Sequence, residues 1–137
     1  MLTWLKSLVT GPKRIEDPVF GSLLYMGDYW EGRGRFEPTQ EQIEWLVTAG
    51  EEGPGDAQHS FFRSVCARYT ELRLKAHSAI HAATTPASGA ALRLVAIEVP
   101  ASPSQSSTWE LSFEAEASHN AVQFIAWEPS GSVEVSQ

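Results

Sequence analysis

A chain of 137 residues, 42% of them hydrophobic, has the length and composition of one globular domain. Its formal net charge of −7 argues against general nucleic-acid binding, which needs a basic surface to neutralise phosphates. Cys66 is the only cysteine, so neither an intrachain disulfide nor a cysteine-based zinc site can form. A reducing, cytoplasmic compartment is therefore expected.

The first 16 residues have a charge balance of their own. Residues 1–15 contain Lys6, Lys13 and Arg14 and no acidic residue, and their apolar run is too short for a signal peptide or a membrane span. We predict an N-terminal extension over residues 1–16, including a short amphipathic helix that docks on the domain, with weak membrane or partner contact as the alternative. Residues 17–137 are predicted to form a single domain.

Three strands are predicted before the middle of the chain. Residues 19–25 and 29–36 are rich in strand-forming side chains and flank a Gly-Asp turn, and residues 42–48 follow as a third strand. Two glycines within the second segment suggest a bulge or the close approach of another backbone.

One long helix is predicted over residues 57–82. Asp56 can cap its first turn, and the loop at residues 84–89 ends it. Apolar side chains recur there at spacings of three or four, which is typical of a helix with one buried stripe. The stripe consists of Phe61, Val65, Tyr69, Leu72, Ala76 and Ile80.

The remaining segments are predicted strands. Residues 92–99, 109–117 and 121–127 are the main ones, and residues 132–135 are a candidate short last strand. Strict alternation in residues 109–117 places tryptophan, leucine and phenylalanine on one face and Glu110, Glu114 and Glu116 on the other. The expected fold class is α+β: a mainly antiparallel sheet with the long helix packed on one face, in the order β-β-β-α-β-β-β.

No catalytic constellation is evident in the sequence. His77 and His81 are four residues apart on the predicted helix, a spacing that can place two imidazoles on one metal ion, but the sequence indicates no third ligand. Glu110, Glu114 and Glu116 suggest acid/base chemistry only if they line a cleft, and an exposed sheet face supplies none. We therefore predict no enzyme activity, no metal and no cofactor.

Surface character favours protein binding instead. Residues 94–137 contain six glutamates and neither lysine nor arginine, which would attract a basic partner by long-range steering. Tyr29 and Trp30 are adjacent, so only one of them can face the helix from a strand. The other is a candidate exposed anchor. The predicted partner-binding residues are Glu110, Glu114, Glu116, Tyr29 and Trp30.

Two parts of the chain carry a family resemblance. The segment Asp17-Pro18-Val19-Phe20-Gly21-Ser22-Leu23, followed by Trp30-Glu31-Gly32, resembles the opening of small bacterial domains of unknown function. The segments around Trp109 and Trp127 are similar to their closing strands. The resemblance implies an immunity-like role, in which the protein acts by binding a cognate toxin, and it supplies no catalytic residue.

The expected function is thus that of a non-catalytic, cytoplasmic bacterial domain that binds a basic protein such as a toxin through an acidic and aromatic sheet face. No nucleic acid and no membrane span are expected. Two alternatives remain open: a small-molecule- or metal-binding domain near His77 and His81, and a self-associating structural module that pairs through an edge strand.

Overall fold

A computed structural model describes residues 12–83, 92–103, 108–115, 121–127 and 133–136. In these ranges four strands come first, two helices follow, and four strands come last. The elements are β1 (Arg14–Asp17), β2 (Gly21–Tyr25), β3 (Trp30–Phe36), β4 (Glu41–Val47), α1 (Asp56–Ala67), α2 (Tyr69–Ala83), β5 (Leu92–Val99), β6 (Thr108–Ala115), β7 (Ala121–Trp127) and β8 (Val133–Ser136).

All eight strands form one sheet, and their order in the sheet is their order in the chain. Every neighbouring pair is antiparallel except β4 and β5, which run parallel. The two helices form the crossover that a parallel pair requires. The predicted α+β class with a mainly antiparallel sheet is confirmed.

The prediction of one long helix over residues 57–82 is wrong, because the segment forms two helices that meet at Arg68. The backbone of Arg68 has φ −103° and ψ 10°, outside the helical region. A straight helix of that length would extend about 39 Å and diverge from a twisted sheet. The kink keeps both parts in contact with it: α1 packs against β5, and α2 packs against β7 and β8.

The predicted strand order also lacked the first strand of the sheet. Arg14–Asp17 pairs with Gly21–Tyr25, so part of the segment assigned to the N-terminal extension belongs to the sheet. The helix predicted within residues 1–16 falls largely on residues 1–11, which lie outside the described residues. None of the described helices has the length and apolarity to cross a membrane.

The core lies between the helices and one face of the sheet. The predicted helical stripe is buried from Val65 to Ile80, while Phe61 is only partly buried and Phe62 takes its place in the core. Phe62 is the centre of an aromatic cluster, with its ring 4.9 Å from that of Phe20, 5.5 Å from Trp45 and 6.1 Å from Phe36. Such tilted and edge-on contacts are the favoured aromatic geometry.

The two glycines of β3 have a packing role. The pairing of β3 with β4 runs without a bulge from Trp30 to Phe36, so the predicted bulge is absent. The close approach is made by the side chain of Trp45 and not by another backbone. A Cβ atom at Gly32 would lie 2.8 Å from the nearest indole atom of Trp45, and a Cβ atom at Gly34 would lie 2.6 Å from the indole atom nearest to it. The glycines therefore provide the space in which the Trp45 ring lies against β3.

Candidate functional site

The two faces of β6 differ as the alternation predicts. Trp109, Leu111 and Phe113 are at most 2% exposed and pack in the core. Glu110 and Glu114 point to the opposite face and are partly exposed. We call this the open face, the side of the sheet that α1 and α2 do not cover.

One row of residues crosses the open face from strand to strand. The register pairs Leu24 with Glu31, Glu31 with Leu46, Leu46 with Glu98, and Glu98 with Glu110. Directly opposite side chains on neighbouring strands have Cβ atoms about 5 Å apart. From Leu24 to Glu110 this open row therefore alternates two leucines with carboxylates and then places two carboxylates opposite each other. The register continues to Arg14 on the β1 side and to Ile125 and Glu134 on the β8 side.

The pairing of Glu98 with Glu110 is electrostatically unfavourable. Partial burial raises the pKa of Glu110, the nearby carboxylate of Glu98 raises it further, and a hydrogen bond from Ser112 opposes both effects. The Ser112 hydroxyl donates to Glu110 Oε1 at 3.4 Å. Neither glutamate forms an ion pair with any residue in the described part of the chain.

Glu110→Gln is expected to raise the free energy of unfolding at pH 7. Because the folded chain raises this pKa above the usual 4.5, the folded state holds the proton more tightly than the unfolded state. The stability from this group is present at acid pH and is lost as the pH rises from about 4.5 through the folded pKa. Urea unfolding between pH 4 and pH 8 measures it, with the exposed Glu52→Gln as control. A variant less stable than wild type at pH 7 would contradict the repulsion.

Glu114 differs from Glu110 because a cation lies beside it. Arg93 Nη2 is 3.5 Å from Glu114 Oε2, and the two residues are register partners on β5 and β6. Part of the charge of Glu114 is thus neutralised within the chain. Glu116, the third predicted glutamate, lies outside the described residues.

The structure buries Trp30 and leaves Tyr29 partly exposed. Trp30 is fully buried, and its indole N–H donates to the carbonyl oxygen of Gly50 at 2.8 Å. Trp30 is the first residue of β3 and lies on its buried face. Tyr29 precedes the strand and is partly exposed at the end of the open face.

Tyr29 borders a shallow depression at this end of the sheet. Its volume is about 430 Å³, and its lining comes from the loop between β2 and β3, the end of β4, and β5. The lining residues are Asp28, Tyr29, Leu46, Thr48 and Glu98. The depression therefore brings an aromatic ring and an apolar side chain together with Glu98 of the open row.

The candidate metal ligands do not converge on a site. The ring of His77 packs edge-on against Phe113, with ring centroids 5.5 Å apart, whereas His81 is exposed. Burial lowers the pKa of His77, and the positive charge of Arg73 lowers it further. Within the described residues, no three histidine, cysteine, aspartate or glutamate side chains are placed to hold a metal ion.

A buried aspartate–histidine pair is the feature that sequence reasoning missed. Asp17 Oδ2 accepts hydrogen bonds from the backbone N–H groups of Val19 and Phe20, both at 2.9 Å, and its Oδ1 lies 2.7 Å from His59 Nε2. The two side chains are 4% and 12% exposed.

This pair fastens the turn between β1 and β2 to the first turn of α1. The other ring nitrogen of His59 lies 3.9 Å from Asp56, so the imidazole sits between two carboxylates and not beside a nucleophile. The arrangement is structural. The available sequence signal was an aspartate before proline and a histidine in the first turn of the predicted helix.

Comparison of the chain with protein-family models, with curated proteins and with solved structures found no significant match.

Proposed function

We propose that the chain is a non-catalytic protein-binding domain that presents its open face to a basic partner. The observation that carries the proposal is the directly opposed Glu98–Glu110 pair, which has no neutralising cation within the described residues. Like charges placed opposite each other in a sheet reduce stability. A surface that keeps such a pair gains the most when a partner supplies the missing positive charge.

The rest of the open face supports the same function. Leu24 and Leu46 alternate with carboxylates along the open row, and Tyr29 lies beside Leu46 and Glu98 of that row. Aromatic anchors such as tyrosine supply much of the binding energy at protein interfaces, apolar neighbours such as leucine exclude water around them, and charges provide steering and register. The open face combines both.

The resemblance of residues 17–23 and 30–32 to small bacterial domains suggests the kind of partner. We propose a cytoplasmic, immunity-like role in which the partner is a basic toxin. The proposal requires no catalytic residue, since an immunity protein of this kind acts by occupying its toxin.

Binding assays with matched charge variants test the proposal. The tagged full-length protein serves as bait in lysate of its source organism, with washes at low and then high salt. We expect the bait to retain a basic protein at low salt and to release it at high salt. The double variant Glu98→Gln with Glu110→Gln should weaken the binding of that protein at least tenfold. Charge-driven association weakens as ionic strength rises.

The matched control is Glu37→Gln with Glu52→Gln, which removes the same charge from exposed positions outside the open face. Equal weakening by both double variants would mean that net charge alone attracts the partner, and would overturn the assignment to the open face. Self-association that survives high salt would favour a structural module. The short β1 edge is poorly suited to pairing two copies, since it exposes the charged side chains of Arg14 and Glu16.

A further inference from the structure

We infer that the depression beside Tyr29 takes a single arginine side chain of the basic partner. The inference rests on the proposed function and makes it specific, because it names the anchor point and the residue type that fills it. Three parts of the fold contribute: the loop before β3, the end of β4, and β5.

Size and lining fit such an anchor. A depression of about 430 Å³ is large enough for one long side chain together with some backbone around it. Leu46 offers an apolar surface for the aliphatic stem, and the carboxylates of Asp28 and Glu98 offer acceptors for the charged head. Long basic side chains commonly bury the stem in this way and keep the head among polar groups.

The aromatic ring favours arginine over lysine. A guanidinium is planar, is less strongly hydrated than an ammonium, and stacks on aromatic rings while it bonds carboxylates. Tyr29 supplies the ring, and Glu98 lies between the depression and Glu110. An arginine placed there would bring positive charge next to the opposed carboxylates of Glu98 and Glu110. A lysine fits less well, because its ammonium group is compact and cannot stack on the ring while it bonds a carboxylate.

Two carboxylates of the open face, those of Glu44 and Glu114, already have a cation. Arg33 Nη2 lies 2.8 Å from Glu44 Oε1, and Arg93 lies beside Glu114. Asp28 and Glu98 form no ion pair with any residue of the described ranges. Charge complementarity therefore directs a partner's arginine to the Tyr29 end of the face and away from the Glu44 and Glu114 positions.

Titration with small blocked peptides tests the inference without the partner. Isotope-labelled full-length protein is titrated with acetyl-Gly-Arg-Gly-amide and followed by amide NMR shifts. We expect saturable shifts at the amides of Tyr29, Leu46 and Glu98. The corresponding lysine peptide should bind at least threefold more weakly. The citrulline peptide, which has the shape of arginine without its charge, should not bind.

Two variants and one control sharpen the result. Tyr29→Ala and Glu98→Gln should each weaken the arginine peptide at least fivefold, whereas Glu37→Gln, at an exposed turn position, should change it less than twofold. Equal binding of the citrulline peptide, or unsaturable shifts spread over all acidic residues, would overturn the inference.

Failure of the inference is distinguishable from failure of the proposed function. If the arginine peptide binds in the depression but the bait retains no basic protein, the anchor stands and the proposed function falls. If a basic partner is captured and lost in Glu98→Gln with Glu110→Gln but retained by Tyr29→Ala, the function stands and the anchor falls.

Discussion

Replacing Asp17 with alanine is expected to lower the free energy of unfolding by about 4 kcal/mol. The carboxylate accepts two backbone N–H bonds in the turn after β1 and also contacts His59 on α1. Its loss leaves buried donors without a partner, and each such group costs about 1–3 kcal/mol. Phe20, one of the two donors, is a core residue at 1% exposure, so the damage reaches the aromatic cluster.

Urea unfolding followed by circular dichroism measures this effect. Glu16→Ala is the matched control, because Glu16 precedes Asp17 on the same strand and is exposed. We expect it to change stability by less than about 0.5 kcal/mol. Asp17→Asn, which keeps one acceptor oxygen, should fall between the two. A loss below about 1 kcal/mol for Asp17→Ala would show that the turn holds its conformation without the carboxylate.

Gly34→Ala is expected to cost about 2 kcal/mol, although alanine is ordinarily the better residue in a strand. The added Cβ atom would lie 2.6 Å from Trp45 Cη2 and 2.8 Å from Cζ2. Trp45 cannot easily move away, because it is 4% exposed and its indole N–H donates to the carbonyl oxygen of Phe20 at 3.1 Å. The overpacked core must shift instead.

A double-mutant cycle separates this clash from a general effect on the strand. Trp45→Phe removes the ring atoms that a Cβ at Gly34 would meet, so the double variant should recover about 1 kcal/mol relative to the sum of the two single changes. Urea unfolding of the four proteins gives the coupling energy. Strict additivity would mean that Gly34 is needed for its backbone and not for the space above it.

Alternation and periodicity predicted the parts of the fold in which one face is uniformly apolar. In β6, Trp109, Leu111 and Phe113 are buried and Glu110 lies opposite, because a strand of period two leaves no other way to bury three large side chains. The helical stripe from Val65 to Ile80 was predictable for the same reason. Both signals are local, and tertiary packing reinforces them.

The sequence contains little signal for the elements that depend on packing. No glycine or proline marks the break at Arg68, where the backbone leaves the helical region, so the sequence offers no local stop signal there. The strand Arg14–Asp17 has one apolar residue, Ile15, among charged ones. It is held by pairing with β2 and by Asp17, and neither contact is visible as a periodic pattern.

The candidate site shows the same division. Because Tyr29 and Trp30 are adjacent, the sequence predicted that one of the two side chains would be exposed. It did not predict which one, because that depends on which face of β3 Trp30 occupies. The glutamates of β6 were predicted on one face, whereas the opposition of Glu98 and Glu110 required the register between β5 and β6. Contacts between distant segments, such as Asp17 with His59, need the assembled fold.

The parallel junction of β4 and β5 makes the proposed binding surface conditional on complete folding. Strands β1–β4 and β5–β8 are two meanders in which each strand pairs with its neighbour in sequence, and only this junction spans the helical crossover. Tyr29 and Leu46 belong to the first meander, and Glu98 and Glu110 belong to the second. Neither meander alone carries the depression. A ligand held there would therefore bind the fully assembled chain and not a partly folded one, and its binding would stabilise the junction between the two meanders.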